Sequence, residues 1–401
     1  MRRLVRTLLA VAVLLVTGIP AVLAQDKPKE EEKKPPTLWE EIKPRAYIEN
    51  SYVFNLTGAG RDATNELRVF DLDEGWTFNN AQFNIGKDPS EKYPFGFGLQ
   101  IMAGLDAQKV HALGIFRDRD DAAPFRNTAK YDLQEAFLSY QVPLGTGLTL
   151  KAGKFVTLLG YEVIESPDNL NFSRSYMFGF SIPFTHVGAL ASYQFFDWFG
   201  VTAGVVNGWD NADDNNGARS WMGQFAFVPL KDLTASLNWI VGPEQNRNNR
   251  DYRWVVDLVF NYTGIKNLTL GLNVDVGGEE NEASLAASGT RQDTDASWSG
   301  WAMYGAYDWT EKFRTALRLE YFQDSEGVRT LAIAPGSKVS LYGVTATAQY
   351  KIWKGLVGRL EYRHDNADER VFKIRYDDTR TLVPRSKSLD TISVSLYYEF
   401  F

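Results

Sequence analysis

Polar and apolar residues alternate with a period of two over most of the chain, and this alternation continues to its last residues. From Thr391 to Phe400, one face of the segment is wholly apolar and the opposite face is mostly polar. The apolar face consists of Ile392, Val394, Leu396, Tyr398 and Phe400. Because successive side chains of a strand point to opposite sides, the pattern predicts a β-strand with one apolar face. The same pattern recurs at 95–106, 233–241, 253–262, 268–276 and 313–321.

The connections between these segments alternate strictly between long and short. The short ones are 87–93, 143–147, 196–200, 229–232, 263–267, 309–312 and 351–355. The long ones are 57–75, 107–130, 157–184, 208–220, 242–252, 278–296, 323–338 and 365–387. A soluble sandwich has no reason to sort its loops by length in this way, whereas outer-membrane barrels combine an even strand number with short periplasmic turns and long outer loops. The sequence therefore predicts an all-β, transmembrane, antiparallel up-and-down β-barrel of about 16 strands, with both termini periplasmic.

The first residues resemble an export signal. Met1–Ala24 has three arginines, an apolar run too short to span a bilayer and small residues at its end, which predicts a signal peptide cleaved before Gln25. Residues 25–44 form a charged, proline-bearing stretch that predicts a periplasmic linker, with a short helical turn at 37–43. The barrel is expected over 45–401. The predicted location is the bacterial outer membrane, reached through the periplasm.

The amino-acid composition excludes some partners and some kinds of covalent stabilisation. Removing the three arginines of the leader leaves 40 of the 43 basic residues against 50 acidic ones, a net charge of −10, which argues against a nucleic-acid partner. Aromatic residues make up 14% of the chain, and such residues favour membrane interfaces. There is no cysteine, which excludes disulfides and a lipoprotein anchor. Tyr176–Phe196 lacks charged residues but alternates, so it predicts a loop end that continues into a strand rather than a spanning helix.

The third long loop, taken as 156–184, is the candidate for a constriction inside the pore. Its polar candidates are Glu162, Glu165, Asp168 and Arg174. Its many apolar residues indicate that it packs against the inner barrel wall. The alternation of two late strands predicts a basic wall of inward-facing residues: Arg314, Arg318, Arg359 and Arg363. Two interpretations remain open, because these arginines either face the pore and order ions there or pair with Glu320 and Glu361 to brace the barrel.

Other chemistry is sparse in the sequence. Residues 207–217 are rich in oxygen ligands, but they lack the ligand spacing of an EF-hand, which favours a solvated loop over a calcium site. His111, His186 and His364 stand in no catalytic or metal-binding spacing. We therefore predict a protein without cofactor or metal that is not an enzyme. An outer-membrane hydrolase and a surface-binding structural barrel are the alternatives from other classes.

One central block of motifs resembles the OmpL-like β-barrel porin family. The block comprises Lys151-Ala-Gly-Lys-Phe155, Gly160-Tyr-Glu-Val-Ile-Glu165, Asn169-Leu-Asn-Phe-Ser-Arg-Ser175, Pro183-Phe-Thr-His-Val-Gly188 and Asn207-Gly-Trp-Asp210. The resemblance implies an outer-membrane porin that allows passive diffusion of small hydrophilic solutes or ions. The block is more distantly similar to phosphate-selective porins, which leaves an anion- or phosphate-preferring channel as the alternative, although the acidic chain departs from their basic lining. By analogy with large porins, a homotrimer is expected.

The carboxyl end supplies a final prediction. Tyr398, Phe400 and Phe401 are expected to form the C-terminal signal that the barrel-assembly machinery recognises. In the alternating pattern, Phe400 falls on the lipid-facing side of the strand and Phe401 on the side that faces the lumen. The last strand is expected to close the barrel against Tyr47–Leu56. Outer-membrane lipid, the assembly machinery and small solutes are the expected partners.

Overall fold

The computed structural model describes residues 37–57, 67–71, 74–115, 129–281, 295–331, 337–376 and 382–400. The predicted signal peptide, linker residues 25–36 and Phe401 lie outside these residues. A short N-terminal unit ends at Glu40, and the second unit extends from Glu41 to the end of the chain. The described part of the first unit holds most of helix α1 (Leu38–Glu41), at the position of the predicted helical turn. No helix of the described residues is long and apolar enough to cross a membrane.

In the described part of the second unit, sixteen antiparallel strands form a closed barrel. The barrel strands are β1 (Lys43–Asn55), β2 (Gly75–Lys87), β3 (Phe95–Ala103), β4 (Tyr131–Val142), β5 (Leu148–Val156), β6 (Thr185–Phe196), β7 (Phe199–Val206), β8 (Ser220–Leu230), β9 (Leu233–Pro243), β10 (Tyr252–Ile265), β11 (Leu268–Glu279), β12 (Ala296–Asp308), β13 (Phe313–Asp324), β14 (Val339–Trp353), β15 (Leu356–Ala367) and β18 (Ser388–Glu399). Each pairs with its neighbour along the chain, which confirms the predicted up-and-down barrel. The periplasmic placement of the termini stays a prediction.

The last strand closes the barrel as the sequence predicts. β18 pairs with β15 on one side and with β1 on the other, in a register that sets Tyr47 opposite Glu399 and Asn55 opposite Thr391. The backbone N–H of Phe400 extends this seam with a hydrogen bond to the carbonyl oxygen of Ala46, at 2.9 Å. Among the described residues, closure leaves no edge of a barrel strand unpaired. A bilayer requires this because lipid cannot satisfy backbone groups.

The two ends of the barrel differ as expected. At one end, seven short turns connect the strands, and all coincide with the predicted short connections. At the other, the long loops carry additional structure that alternation alone did not reveal. Helix α2 (Leu105–Lys109) follows β3, and a two-stranded hairpin of β16 (Phe372–Tyr376) and β17 (Leu382–Ser386) stands between β15 and β18. We refer to these as the short-turn end and the long-loop end.

Strand β13 shows how alternation sorts its residues between the two faces. Leu317 is 45% exposed on the outer face, whereas Arg318 and Phe322 on the inner face are fully buried. A wall with one apolar face can meet lipid, and a wall with polar inner groups can enclose water. Burial of inner side chains to this degree needs something inside the barrel, and that is the loop between β5 and β6.

Candidate functional site

The β5–β6 loop folds back into the barrel from a closed base. Where the two strands end, the N–H of Thr157 donates to the carbonyl oxygen of Phe184 at 3.0 Å. Asp210, in the next long loop, accepts hydrogen bonds from the N–H groups of Phe184 at 2.7 Å and Thr185 at 3.0 Å. The base is therefore fixed on both sides, and the chain between 158 and 183 extends from it across the lumen.

The first arm of the loop lies against β10, β11 and β12. The N–H of Gly160 donates to Asp257 Oδ2 at 2.8 Å, and the N–H of Tyr161 donates to Asn273 Oδ1 at 3.3 Å. The Tyr161 ring stacks on Tyr304 of β12, with 4.3 Å between ring centroids. Lumenal side chains of the wall thus satisfy backbone groups of the loop that would otherwise be buried without partners.

Glu162 joins the two arms of the loop to each other and to the wall. Its Oε2 accepts a hydrogen bond from the N–H of Ser175 at 2.8 Å and another from the Ser175 hydroxyl. Its Oε1 lies 2.9 Å from Nη1 of Arg318 on β13. All three residues are buried. This predicted constriction carboxylate is therefore an anchor of the loop.

Glu165 and Asp168 lie farther along the loop, where it contacts the first strands. Glu165 Oε1 accepts amide hydrogen bonds from three glutamines, one on each of β2, β3 and β4: Gln82, Gln100 and Gln134. Asp168 forms a two-point ion pair with Arg45 of β1 at 2.5 and 2.8 Å, and its side chain is 44% exposed. Asp168 is therefore exposed and Glu165 half-buried, in contrast to the buried Glu162.

Strand β15 holds the middle of the loop through one carboxylate and two arginines. The Glu361 carboxylate accepts hydrogen bonds from the N–H groups of Phe172 at 2.7 Å and Ser173 at 2.9 Å. Arg359 donates to the Ser166 hydroxyl at 3.1 Å and to its carbonyl oxygen at 3.0 Å. Arg363 donates to a loop carbonyl at 2.7 Å. Charged groups of this strand therefore bind the backbone of the loop.

Arg318 makes the densest set of contacts among the four arginines of the predicted basic wall. Besides Glu162, it donates to the Ser173 carbonyl oxygen at 2.5 Å, to Glu320 at 3.1 Å and to Thr345 at 3.1 Å. Arg314 differs because it pairs with Asp308 at the short-turn end, with a third of its side chain exposed. The structure thus brings three of the four arginines together under the loop and leaves Arg314 apart.

Arg174, the basic candidate within the loop itself, holds the loop in shape. Its guanidinium donates to three carbonyl oxygens of the loop, those of Val163, Ile164 and Phe172, at 2.7 to 2.9 Å. It also lies over the ring of Phe70, 5.2 Å from the centroid. Such a buried cation is stable only when its donors are satisfied, as they are here.

These contacts favour bracing as the role of the buried arginines. Arg318, Arg359 and Arg363 are each no more than 2% exposed, and their guanidinium groups point at loop carbonyls and buried carboxylates. Removing one partner from such a buried pair is strongly destabilising, because the remaining charge stays desolvated. The pore-lining role predicted from sequence remains a prediction, for which Arg314 keeps the greatest exposure of the four.

The other chemical candidates are engaged in local contacts. His111 and His186 each bond a backbone carbonyl oxygen, at 2.7 and 2.9 Å. His364 lies 2.8 Å from Asp390 on β18, a pairing that sequence spacing did not reveal. In the 207–217 loop, Asp214 caps the N–H groups of residues 216 and 217. In the described ranges, no group of three or more His, Cys, Asp and Glu residues has an arrangement that could hold a metal ion.

The glutamines around Glu165 are the site residues that sequence reasoning missed. All three lie at polar positions of strands in which polar and apolar residues alternate, so the pattern predicts that they face the inside of the barrel. Nothing in the spacing indicates that they share one oxygen of a loop residue far along the chain, because that depends on how the loop crosses the lumen.

Comparison with solved structures shows which proteins share this architecture. The fold is similar to an anion-selective porin from Comamonas acidovorans (TM-score 0.58, 9% identity, 90% of this chain and 99% of that chain). It is also similar to the outer membrane channel DcaP of Acinetobacter baumannii (0.55, 12%, 90% and 97%) and to a trimer form of OmpT of Vibrio cholerae (0.53, 12%, 90% and 99%). The fold is therefore that of outer-membrane porins.

The family follows from a match to residues 41–400. The matching family model is described as "Putative beta-barrel porin-2, OmpL-like", and the chain belongs to this family. The predicted family is confirmed, and with it an outer-membrane location and the function of a porin channel. No curated protein matches the sequence significantly.

Proposed function

We propose that this porin lets small hydrophilic solutes and ions diffuse passively through a water-filled barrel that residues 156–184 narrow. A sixteen-stranded barrel encloses an aqueous channel unless something fills it. The observation that carries the proposal is the attachment of the loop to opposite walls of the barrel. Arg318 and Glu361 bind it on β13 and β15, Asp257 binds it on β10, and Glu165 reaches the glutamines of β2–β4.

Several parts of the proposal rest on family and sequence. The protein is exported by a cleaved signal peptide, is inserted by the barrel-assembly machinery and does not act as an enzyme. The existence of a trimer form of OmpT supports a homotrimer, which light scattering of the detergent-solubilised protein tests. A monomer mass would contradict it. For a phosphate-preferring channel the buried arginines give little support, because their guanidinium groups already bind the loop.

Shortening the loop at the point where its arms touch tests the constriction. Because Ser175 bonds Glu162, residues 163–174 can be excised and Glu162 joined to Ser175 with little rearrangement of the base. The expected result in planar bilayers is a larger single-channel conductance than that of the native protein, since the inserted tip is gone. The matched control removes an equal number of residues, 282–293, from another long loop and should leave conductance unchanged. Equal conductance of the native and 163–174-deleted proteins would show that this loop does not limit flow.

A further inference from the structure

A second polar site lies at the long-loop end, away from the inserted loop. It is a cavity of about 980 Å³ between the β7–β8 loop and the β9–β10 loop. Trp209 and Arg253 line it, and the Arg253 guanidinium lies over the Trp209 ring at 5.2 Å. Arg329 lies over the same ring at 4.9 Å, and its burial and the neighbouring Arg253 lower the pKa of Arg329 to about 10. Cavities of this size suit small ligands.

Amide side chains make up half of the residues around this cavity. They are Asn211, Asn215, Gln245, Asn246, Asn248 and Asn249. Asn211 is only 1% exposed, and its Oδ1 has no hydrogen-bond partner among the residues that the structure describes. Gln245 and Asn248 use their amides on each other and on loop groups, whereas Oδ1 of Asn215, like that of Asn211, has no partner among the described residues. An amide both donates and accepts, so such side chains match hydroxyl groups, which do the same. A buried acceptor without a partner is costly unless a ligand or water satisfies it.

Three arginines and one carboxylate line the cavity. Arg253 pairs with Glu279, and the buried Glu244 accepts hydrogen bonds from Trp209 N–H and from Ser220, so Arg247 and Arg250 are its exposed cations. Within the described ranges, no carboxylate pairs with either of these two. The β9–β10 loop is held in a fixed turn, because Asn248 Oδ1 accepts hydrogen bonds from the N–H groups of Arg250 and Asp251. The planar fork of a guanidinium binds a carboxylate at two points. These cations stand out in a chain whose overall charge is negative.

We propose that this cavity binds short acidic oligosaccharides, with hydroxyl groups on the amides and a sugar carboxylate on Arg247 and Arg250. The inference rests on the proposed function, since it names the substrate class that this channel collects at its long-loop end. The amides account for the hydroxyls, and the two arginines account for the acid. Neither set alone selects a sugar acid over a neutral sugar or a simple anion.

Calorimetric titration of the refolded full-length protein in detergent tests the proposal, with trigalacturonate and neutral maltotriose as probes. Trigalacturonate should bind at least tenfold more tightly than maltotriose, and raising the salt concentration should weaken its binding because the arginine contacts are exposed to solvent. In the double variant Arg247→Gln and Arg250→Gln, its affinity should fall about tenfold or more. The matched control, Lys231→Gln with Lys266→Gln, removes equal charge from short turns and should bind as the native protein does.

The outcomes separate this inference from the proposed function. Absence of trigalacturonate binding, equal affinity for the two sugars, or native affinity in the Arg247/Arg250 variant would each overturn the acidic-sugar site. Single-channel conductance in potassium chloride is recorded on the same preparations. A native protein that conducts but does not bind trigalacturonate refutes only the inference, whereas a protein that binds but does not conduct refutes only the proposed channel.

Discussion

Replacing Arg318 by Met should release the inserted loop from the wall without leaving a large void. Met fills much of the space of the aliphatic stem but carries no charge and no donors. The change removes the contacts of the guanidinium with Glu162, Glu320 and the Ser173 carbonyl oxygen, all within a fully buried cluster. Of these partners, Glu162 has no other cation within ion-pair distance among the described residues.

The expected size of the effect follows from the burial of the pair. Removing one partner from a buried ion pair costs about 3–5 kcal/mol, because the other charge stays desolvated. At about 1.4 kcal/mol for each factor of ten, opening of the loop should become about 10²- to 4 × 10³-fold more frequent. The barrel itself should persist, because its strand pairing does not involve this side chain. The effect is therefore local.

Amide hydrogen exchange measures this opening. The N–H of Tyr176 donates to Glu320 Oε2 at 2.6 Å, so its exchange reports on detachment of the loop from β13. Its exchange should accelerate by the factor given above, and channel recordings should show a larger and noisier current. Arg314→Met is the matched control, since Arg314 lies on the same strand but pairs with Asp308 away from the loop.

Two results would refute this reasoning. One is unchanged exchange at Tyr176 in Arg318→Met, and the other is equal acceleration in Arg314→Met. A further arm isolates the charge effect. Adding Glu162→Gln to Arg318→Met removes the stranded carboxylate while keeping an acceptor for the N–H of Ser175, so the double variant should exchange more slowly than Arg318→Met alone.

Two more predictions concern single carboxylates. Glu165→Gln removes a half-buried negative charge from the lumen and should lower the cation-to-anion permeability ratio about two- to fivefold. The reversal potential in a salt gradient measures this ratio, and the control Glu311→Gln, in a short turn, should leave it unchanged. A ratio unchanged by Glu165→Gln would contradict the placement of Glu165 in the ion path. Burial raises the pKa of Glu244 to about 7, although Arg253 lowers it. The folded protein therefore holds a proton that the unfolded chain releases, and stability should fall by up to about 3 kcal/mol as pH rises from about 4.5 to 7, relative to Glu244→Gln. Thermal unfolding curves of both proteins against pH measure this, and parallel curves would count against it.

The alternation of residues predicted that the four arginines lie on the inner side of the wall. On β13 and β15, side-chain period fixes the face of every residue once the apolar face is assigned to lipid, and Arg318, Arg359 and Arg363 are all on the buried inner face. Loop lengths predicted the number of strands, because short turns lie at one end of such a barrel and long loops at the other, so each change of length marks one strand. The seam between β18 and β1 followed from closure.

Pattern could not say what those arginines touch. Arg318 meets Glu162 and Ser173 only because a loop from the other side of the barrel crosses the lumen. Glu165 meets its three glutamines for the same reason. Such contacts join residues more than a hundred positions apart, or on different strands, and no local period encodes them. The hairpin of β16 and β17 also escaped the sequence reasoning, since it lies inside a loop with no membrane face to impose alternation.

By itself, then, the sequence determined the barrel, its strand number, its closing strand and the two faces of strands such as β13 and β15, because a bilayer imposes a two-residue period on a strand that spans it. The tertiary structure alone decided that Glu162 and Arg318 anchor a loop and that Arg247 and Arg250 border a cavity with Asn211. Those contacts depend on the paths that the loops take relative to the folded barrel wall. Loop paths are set by the sum of buried contacts, which has no signature in the spacing of residues.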